Sequence, residues 1–435
     1  LTYPPDKNLP PWLWMDVSTS YRSRSGQMNG TLRVEQSYIH TLSGLIAPQL
    51  KFCRYDPLVG QFVSVSRPPD LASKGSPLKP QKRMSGLAAT IKPMGKKIER
   101  VVRTSVRAAA APLMRRVIRA DPMPQLGGDG CDEVLFLAGE NWSRHDFNVL
   151  AEMRRTRGTK IAALCQDFIP IMAPQFFPGG EFVDKFEAYA QFLVREVDLI
   201  VSNSQSTKHD VLRYAGGHGG LRGSIRLVEH GADLVSSATV RRPPALSDLQ
   251  AKRFVLSVST IQSRKNFDLL YHLWYRLTAE GTQDLPTLVI VGQPGFGSSD
   301  LMWQIARDPV TKNSIVHLGR AGDDELAWLY QHCLFTLYPS FYEGWGLPVA
   351  ESLAVGKYCL AANTSSLPEA GAGLAGHLDP LDLPAWRRAV LDLINSPEQL
   401  ARHEAAIRAG YRPVTWAQSA AQLVEALYDL AAQRR

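Results

Sequence analysis

Cysteine is scarce in this chain of 435 residues: five, at 53, 131, 165, 333 and 359, odd in number, widely scattered and without a CxxC pair. That argues against a disulfide framework and against a zinc site, and makes a reducing cytoplasm the expected compartment. Long hydrophobic runs are missing too. DEVLFLAG (132–139) and LPTLVIVG (285–292) are the longest, far short of the roughly 18 apolar residues of a spanning helix, so no segment is expected to cross a membrane. The 33 glycines and 29 prolines gather in no tract, which excludes collagen-like and wholly disordered chains. The start, LTYPPDKNLPPW, has no small-residue cleavage pattern behind a charged stretch, so a signal peptide is not expected; with no initiator Met, an upstream segment is.

What is present is the balance of a folded protein, with 45% hydrophobic and 21% charged residues, and length for about two domains. The net charge of +8 is local in origin: residues 71–119 hold 13 Lys or Arg against the single acid Glu99. Within them Lys96, Arg100, Arg103 and Arg107 fall on one helical face and Ile98, Val101, Val102 and Val106 on another, between Pro93 and Pro112. Such a cationic amphipathic helix suits peripheral membrane contact through Lys92 to Arg119. A solvated linker fits the same residues. Nucleic acid is not an expected partner, because no aromatic residue interleaves the charges. The acids Asp129, Asp132 and Glu133 lack the further oxygen ligands of a hard-cation site, so no metal is expected.

Short β-branched runs recur at 13–17, 50–54, 133–137, 160–165, 199–202 and 225–229, then restart after SSATVRRPPALSDLQ (236–250) at 254–258, 287–291, 315–318, 334–338 and 358–361. Helical-length stretches separate several of them, the pattern of parallel sheets covered on both faces. The fold class is α/β, with two Rossmann-like domains at 1–245, carrying the basic insertion, and 246–412. A helix at 413–435, apolar at 416, 420, 423, 424, 427 and 430, is free to pack back on either. Paired domains of this kind present a ligand in the cleft between them.

The stretch YPSFYEGWGLPVAESLAVG (338–356) carries the most chemistry. A strand runs into glycines, then a helix with Pro348 at its first position. Gly344 and Gly346 admit a ligand to the backbone, and the helix start offers an anion site. Glu343 precedes the helix and Glu351 is expected in its first turn, suited to accept hydrogen bonds from hydroxyls; an ordinary helix start explains them equally well. Arg264 and Lys265 sit in a turn after a strand, where a cation would stabilise charge growing on a phosphate leaving group. Asp167 follows a strand at its carboxyl end, either facing the cleft or capping the next turn.

This stretch resembles the donor-site motif of retaining glycosyltransferases of family 4, with the GT-B fold: two Glu bracketing a Gly-aromatic-Gly-Leu-Pro turn. FVLSVSTIQSRKNFDLL (254–270), VIVGQPGF (289–296), VHLGRAGDDEL (316–326) and NTSSLP (363–368) agree in order. The first domain is similar more loosely, through NGTLRVE (29–35), QDFIPIMAPQFFP (166–178) and VSNSQSTKHDVL (201–212), to enzymes that build bacterial O-antigens; Gln166, Ala173 and Thr260 depart from the family pattern. The resemblance implies a nucleoside-diphosphate sugar as co-substrate, no cofactor, no metal, and a glycan acceptor, lipid-linked, at the inner face of the inner membrane. It assigns Lys265 and Arg264 to the diphosphate, Glu343 to the sugar or its phosphate, and Glu351 to the ribose. Gly292, Gly344, Trp345, Gly346 and Leu347 would meet phosphate and sugar, and Gly319, Arg320 and Ala321 the base. Asn29, Gly30, Thr31, His230 and Asp167 fall to the acceptor side. Guanosine with mannose or a deoxyhexose is the donor that the subgroup suggests. A homo-oligomer, an epimerase of the same fold and a catalytically silent glycan- or lipid-binding protein stay open.

Overall fold

The structure, a computed structural model, describes residues 12–22, 30–57, 59–69, 123–126, 132–143, 145–233, 242–243 and 253–433. The basic helix expected within 71–119, Asn29, Cys131 and the expected boundary at 245 lie outside them.

Two sheets carry the fold. The first orders its strands β3-β2-β1-β4-β5-β6-β7, with β1 at Leu13–Asp16, β2 at Leu50–Asp56, β3 at Gln61–Val65, β4 at Val134–Leu137, β5 at Lys160–Cys165, β6 at Leu199–Ser202 and β7 at Ser224–Leu227. All neighbours are parallel except β2 and β3. The second orders β10-β9-β8-β11-β12-β13, parallel throughout, with β8 at Phe254–Val258, β9 at Thr287–Val291, β10 at Ile315–Leu318, β11 at Thr336–Tyr338, β12 at Cys359–Ala362 and β13 at Gly376–Leu378. Both are doubly wound, and the strand order reverses beside β1 and beside β8. The central strands read as near-continuous apolar runs because helices cover both faces: every residue of β4, β5 and β9 is buried.

The C-terminal helix, Trp416–Ala432, returns to the first sheet. Thr415 caps it, its hydroxyl accepting from the Gln418 amide at 3.1 Å. Ala420, Leu423, Val424 and Leu427 are fully buried in the core formed with β1 and the helix Gly30–Leu45. At its far end the Lys160 ammonium donates to the Leu430 carbonyl at 2.9 Å, a cation at the negative end of the helix dipole. Among the described residues no helix is long and apolar enough to cross a membrane, and the four described cysteines are free and buried.

Candidate active site

Loops at the carboxyl ends of both sheets converge on one cleft of about 690 Å³. Gly30, Thr31, Asp167 and His230 line it from the first sheet; Arg264, Lys265, Gly292, Gly319, Arg320, Ala321, Glu343 and Glu351 line it from the second. Residues distant in sequence therefore share one solvent volume, because both topological switch points face it.

Glu343 is the electrostatic centre. One carboxylate oxygen lies 2.5 Å from the Lys265 ammonium and accepts from the hydroxyls of Ser340 at 2.6 Å and Tyr338 at 3.1 Å. The other lies 2.9 Å from the Arg264 guanidinium. Burial would raise the Glu343 pKa, but Arg264 and then Lys265 outweigh it and hold the group down at about 2. Burial drags Lys265 the other way, down to about 8, against the pull of Glu343. The local turn makes this possible: Ser263–Lys265 is a single 3-10 turn after β8, ended by Asn266 in the left-handed conformation, and Asn266 donates to the carbonyls of Pro339 at 3.2 Å and Pro380 at 2.8 Å. Two cations are thus fixed at the mouth of the second sheet with one carboxylate between them.

Beside them begins the helix Leu347–Ala354. Gly346 takes a φ of +109°, which lets the chain turn from the loop into the helix at a position that L side chains seldom adopt. Gly344 serves a different need, since a Cβ there would sit 2.0 Å from the Gln166 carbonyl of the first domain. Leu347 is already helical, so Pro348 occupies the second helical position rather than the first, and Glu351 lies beyond the first turn. It is buried, and burial raises its pKa although Arg33 opposes the shift. One Glu351 oxygen meets Arg33 at 2.5 Å; the other accepts from the Tyr330 hydroxyl at 2.9 Å.

The expected base-contact residues follow β10, and Gly292 follows β9, pressed so close to the Ser259 carbonyl that a side chain has no room. The Trp345 side chain joins the second-domain core. On the other wall, Asp167 does both things expected of it. Its carboxylate accepts from the Ile169 amide at 3.1 Å, and it lines the cleft, where burial raises its pKa against the nearby Arg264. Gly30 opens the helix Gly30–Leu45, with Thr31 next to it. His230 is 2% exposed, stacked on Trp416 at 5.6 Å, and burial lowers its pKa to about 3; its ring is held neutral.

Several residues here were given no role from the sequence, although all but Glu369 fall inside the motif blocks quoted above. Ser204 and Thr207 donate across the cleft to the Gly344 carbonyl at 2.6 and 3.1 Å, and Tyr342 donates to Asp210 at 2.8 Å. Glu369 accepts from the amides of Gln205 and Ser206 at 2.7 and 2.8 Å, placing a second-domain carboxylate on the N-terminus of the first-domain helix Gln205–Gly216. Arg33 belongs to the same set. No group of His, Cys, Asp and Glu among the described residues is arranged to hold a metal ion.

Comparison with known proteins agrees with this geometry. The fold is that of GT-B glycosyltransferases: the structure aligns with Anabaena HepE in complex with UDP and glucose at a TM-score of 0.59 and 15% identity, over 96% of this chain and 100% of that one. Sucrose-phosphate synthase from Thermosynechococcus elongatus aligns with the same TM-score and identity, over 97% and 99%. Residues 245–409 match the family described as glycosyl transferases group 1. Among curated proteins, O-antigen chain mannosyltransferase B of Escherichia coli is 33% identical over 183 residues, 38% of this chain and 47% of that protein. The serotype-specific mannosyltransferase WbdA of Escherichia coli is 26% identical over 280 residues, 61% and 33%. The chain spans about half or less of the length of these two relatives. The second domain is thus similar to the group 1 glycosyltransferases, and the chain as a whole has the likeness of the bacterial O-antigen type.

Proposed function

We propose that this chain transfers a hexose from a nucleoside-diphosphate sugar to a growing bacterial surface glycan, with retention at the anomeric carbon. The observation that carries the reading is the Glu343–Arg264–Lys265 cluster at the start of a glycine-led helix, inside a cleft shared by two Rossmann-like domains. A departing diphosphate develops negative charge, and Lys265, Arg264 and the amides at the start of Leu347–Ala354 are fixed donors that meet it without reorganisation. Glu343, ionised and held between the cations, sets their positions and offers the sugar an acceptor. Glu351 takes the ribose hydroxyls. The loops at Gly292 and Gly319–Ala321 hold the phosphate side and the base. These basic groups do the work that a metal does in other phosphoryl sites, so transfer proceeds without one, and no organic cofactor is needed.

Retention follows from attack and departure on one face of the sugar, the leaving phosphate taking the acceptor proton; no protein nucleophile is required. Asp167, Gly30 and Thr31, with Asn29 beside them in sequence, face the acceptor. The mannosyltransferase relatives support mannose as the sugar, and the O-antigen chain named for one of them supports a surface-glycan acceptor; a lipid-linked acceptor at the inner membrane face, met through the basic segment Lys92 to Arg119, completes the proposal.

The test is a melting-temperature screen against GDP, UDP, dTDP, ADP and CMP, followed by turnover of the matching sugar nucleotide. One nucleotide should raise the midpoint by mass action. No shift with any at millimolar concentration would replace transfer with the catalytically silent glycan-binding reading.

A further inference from the structure

Glu351 is the carboxylate assigned above to the ribose, yet its surroundings are not those of an unattached acceptor. Arg33 reaches it from the other half of the molecule, 318 positions away in sequence, and among the described residues this is the ion pair that joins the two domains across the cleft. Arg33 stands in the first turn of Gly30–Leu45, between Leu32 and Val34, both 1% exposed in the first-domain core. Its backbone is therefore pinned to the first domain while its head lies against the second. Tyr330, from the helix Asp323–His332, holds the other Glu351 oxygen. Each oxygen then has one partner. An ionised carboxylate has about four acceptor directions, so one remains on each oxygen, enough for a vicinal diol.

We infer that Arg33 is a positioning residue of the donor site: from the acceptor-side domain it fixes the orientation of Glu351 so that the ribose diol is recognised only when the cleft is closed. The inference rests on the function proposed above and adds a coupling between the domains. A nucleotide bound to Glu351 favours the closed arrangement by the free energy that closure lends to its binding, since linkage is reciprocal. Arg33 also opposes the effect of burial on Glu351. The groups facing this carboxylate are Arg33 from Gly30–Leu45, Tyr330 and Asp323 from Asp323–His332, and Tyr338 from β11. Arg33 is the cation among them. Its loss raises the Glu351 pKa further, so an ionised acceptor is lost at a higher pH.

The experiment is titration calorimetry on the full chain, using whichever of GDP, UDP and ADP stabilises it most, together with that nucleotide's 2′,3′-dideoxy analogue. Arg33→Met should bind the ribonucleotide about tenfold more weakly, bind the dideoxy analogue as the wild type does, and begin to lose affinity on acidification about one pH unit earlier. Arg33→Lys, which keeps the charge without the planar fork, should restore the pH profile and part of the affinity. Equal weakening toward both nucleotides, or an unchanged ratio and pH profile, would overturn the positioning role while leaving the proposed function in place. Wild-type protein that binds none of the three would instead overturn the reading of the site, and this inference with it. If Arg33→Met does not fold, Arg33→Gln carries the test, because it removes the same charge, keeps a polar head and predicts the same loss of discrimination.

Discussion

The two domains share a strand order, and a buried glutamate lies near the switch point of each, yet the two groups are pushed in opposite directions. Glu343, beside β11 and the turn after β8, is held down at about 2 because Arg264 and Lys265 overcome its burial. Glu35, on the helix after β1, is raised to about 8 by burial and by the nearby Asp16. Its partners are neutral: the Ser20 amide at 2.7 Å and the Ser20 hydroxyl at 2.5 Å. Asp16, at the end of β1, accepts from the Ser18 amide at 3.0 Å and pairs with His145 at 2.9 Å. One switch point is built from cations around an ionised carboxylate, which suits a phosphate. The other is a buried hydrogen-bonding network in which burial and Asp16 favour the protonated glutamate, and neither Glu35, Asp16 nor His145 lines the cleft. A shared topology therefore leaves the chemistry at each switch point to a handful of side chains.

The sharpest way to break the comparison is Glu343→Gln. Removing the charge strands two buried cations, and breaking such a pair costs about 3–5 kcal/mol of folding stability. The folded pKa is depressed, so the contribution is present above the unfolded value near 4.5 and is lost as pH falls toward 2. Denaturant titration of the two proteins should show the difference at pH 7 and its disappearance on acidification. Lys265→Met comes next: a lost charge-stabilising donor costs roughly 10² to 10³ in kcat, read as turnover of the sugar nucleotide.

Glu35→Gln sharpens the opposite side. Here the folded pKa is raised, so the folded state holds a proton that the unfolded state has released between pH 4.5 and 8. The stability contribution is complete below pH 4.5 and is lost as pH rises through 8. Between pH 5 and 8 the wild type should lose about 3 kcal/mol relative to the variant, again by denaturant titration; parallel profiles would show that the first-domain glutamate is ionised after all.

The same contrast explains what could be seen in the sequence. Strands β5, β6, β8, β9 and β10 match the expected residues, because continuous apolar runs end sharply at polar loops. β3 and β13 escaped, the first an antiparallel edge strand, QFVSV, and the second only three residues long, GHL. Arg264, Lys265, Glu343 and Glu351 were singled out through the resemblance of their motifs, and the structure brings all four to one cleft. Arg33 was not: an arginine on an amphipathic helix looks solvated, and its partner is fixed only by how two domains close. The placement of Glu351 in a first turn failed by one position for a local reason, namely that Gly346, with its positive φ, starts the helix at Leu347.

The smallest effect tests how the two halves are held together. Ser204 caps the helix Gln205–Gly216, its hydroxyl accepting from the Thr207 amide at 2.9 Å while donating to the Gly344 carbonyl at 2.6 Å. Ser204→Ala loses both. Loss of the cap alone costs about 1 kcal/mol of stability. The second bond acts on closure: without it the loop that carries Glu343 is less firmly docked on the first domain, the closed population falls, and apparent nucleotide affinity falls by the same fraction. Thr207→Val separates the two effects, because it removes the 3.1 Å hydroxyl contact to Gly344 and keeps the amide that Ser204 caps. Both variants should weaken nucleotide binding severalfold, and Ser204→Ala should also lower the melting temperature. Weakened folding with unchanged nucleotide affinity would mean that the Ser204 and Thr207 bonds to Gly344 add stability without governing closure.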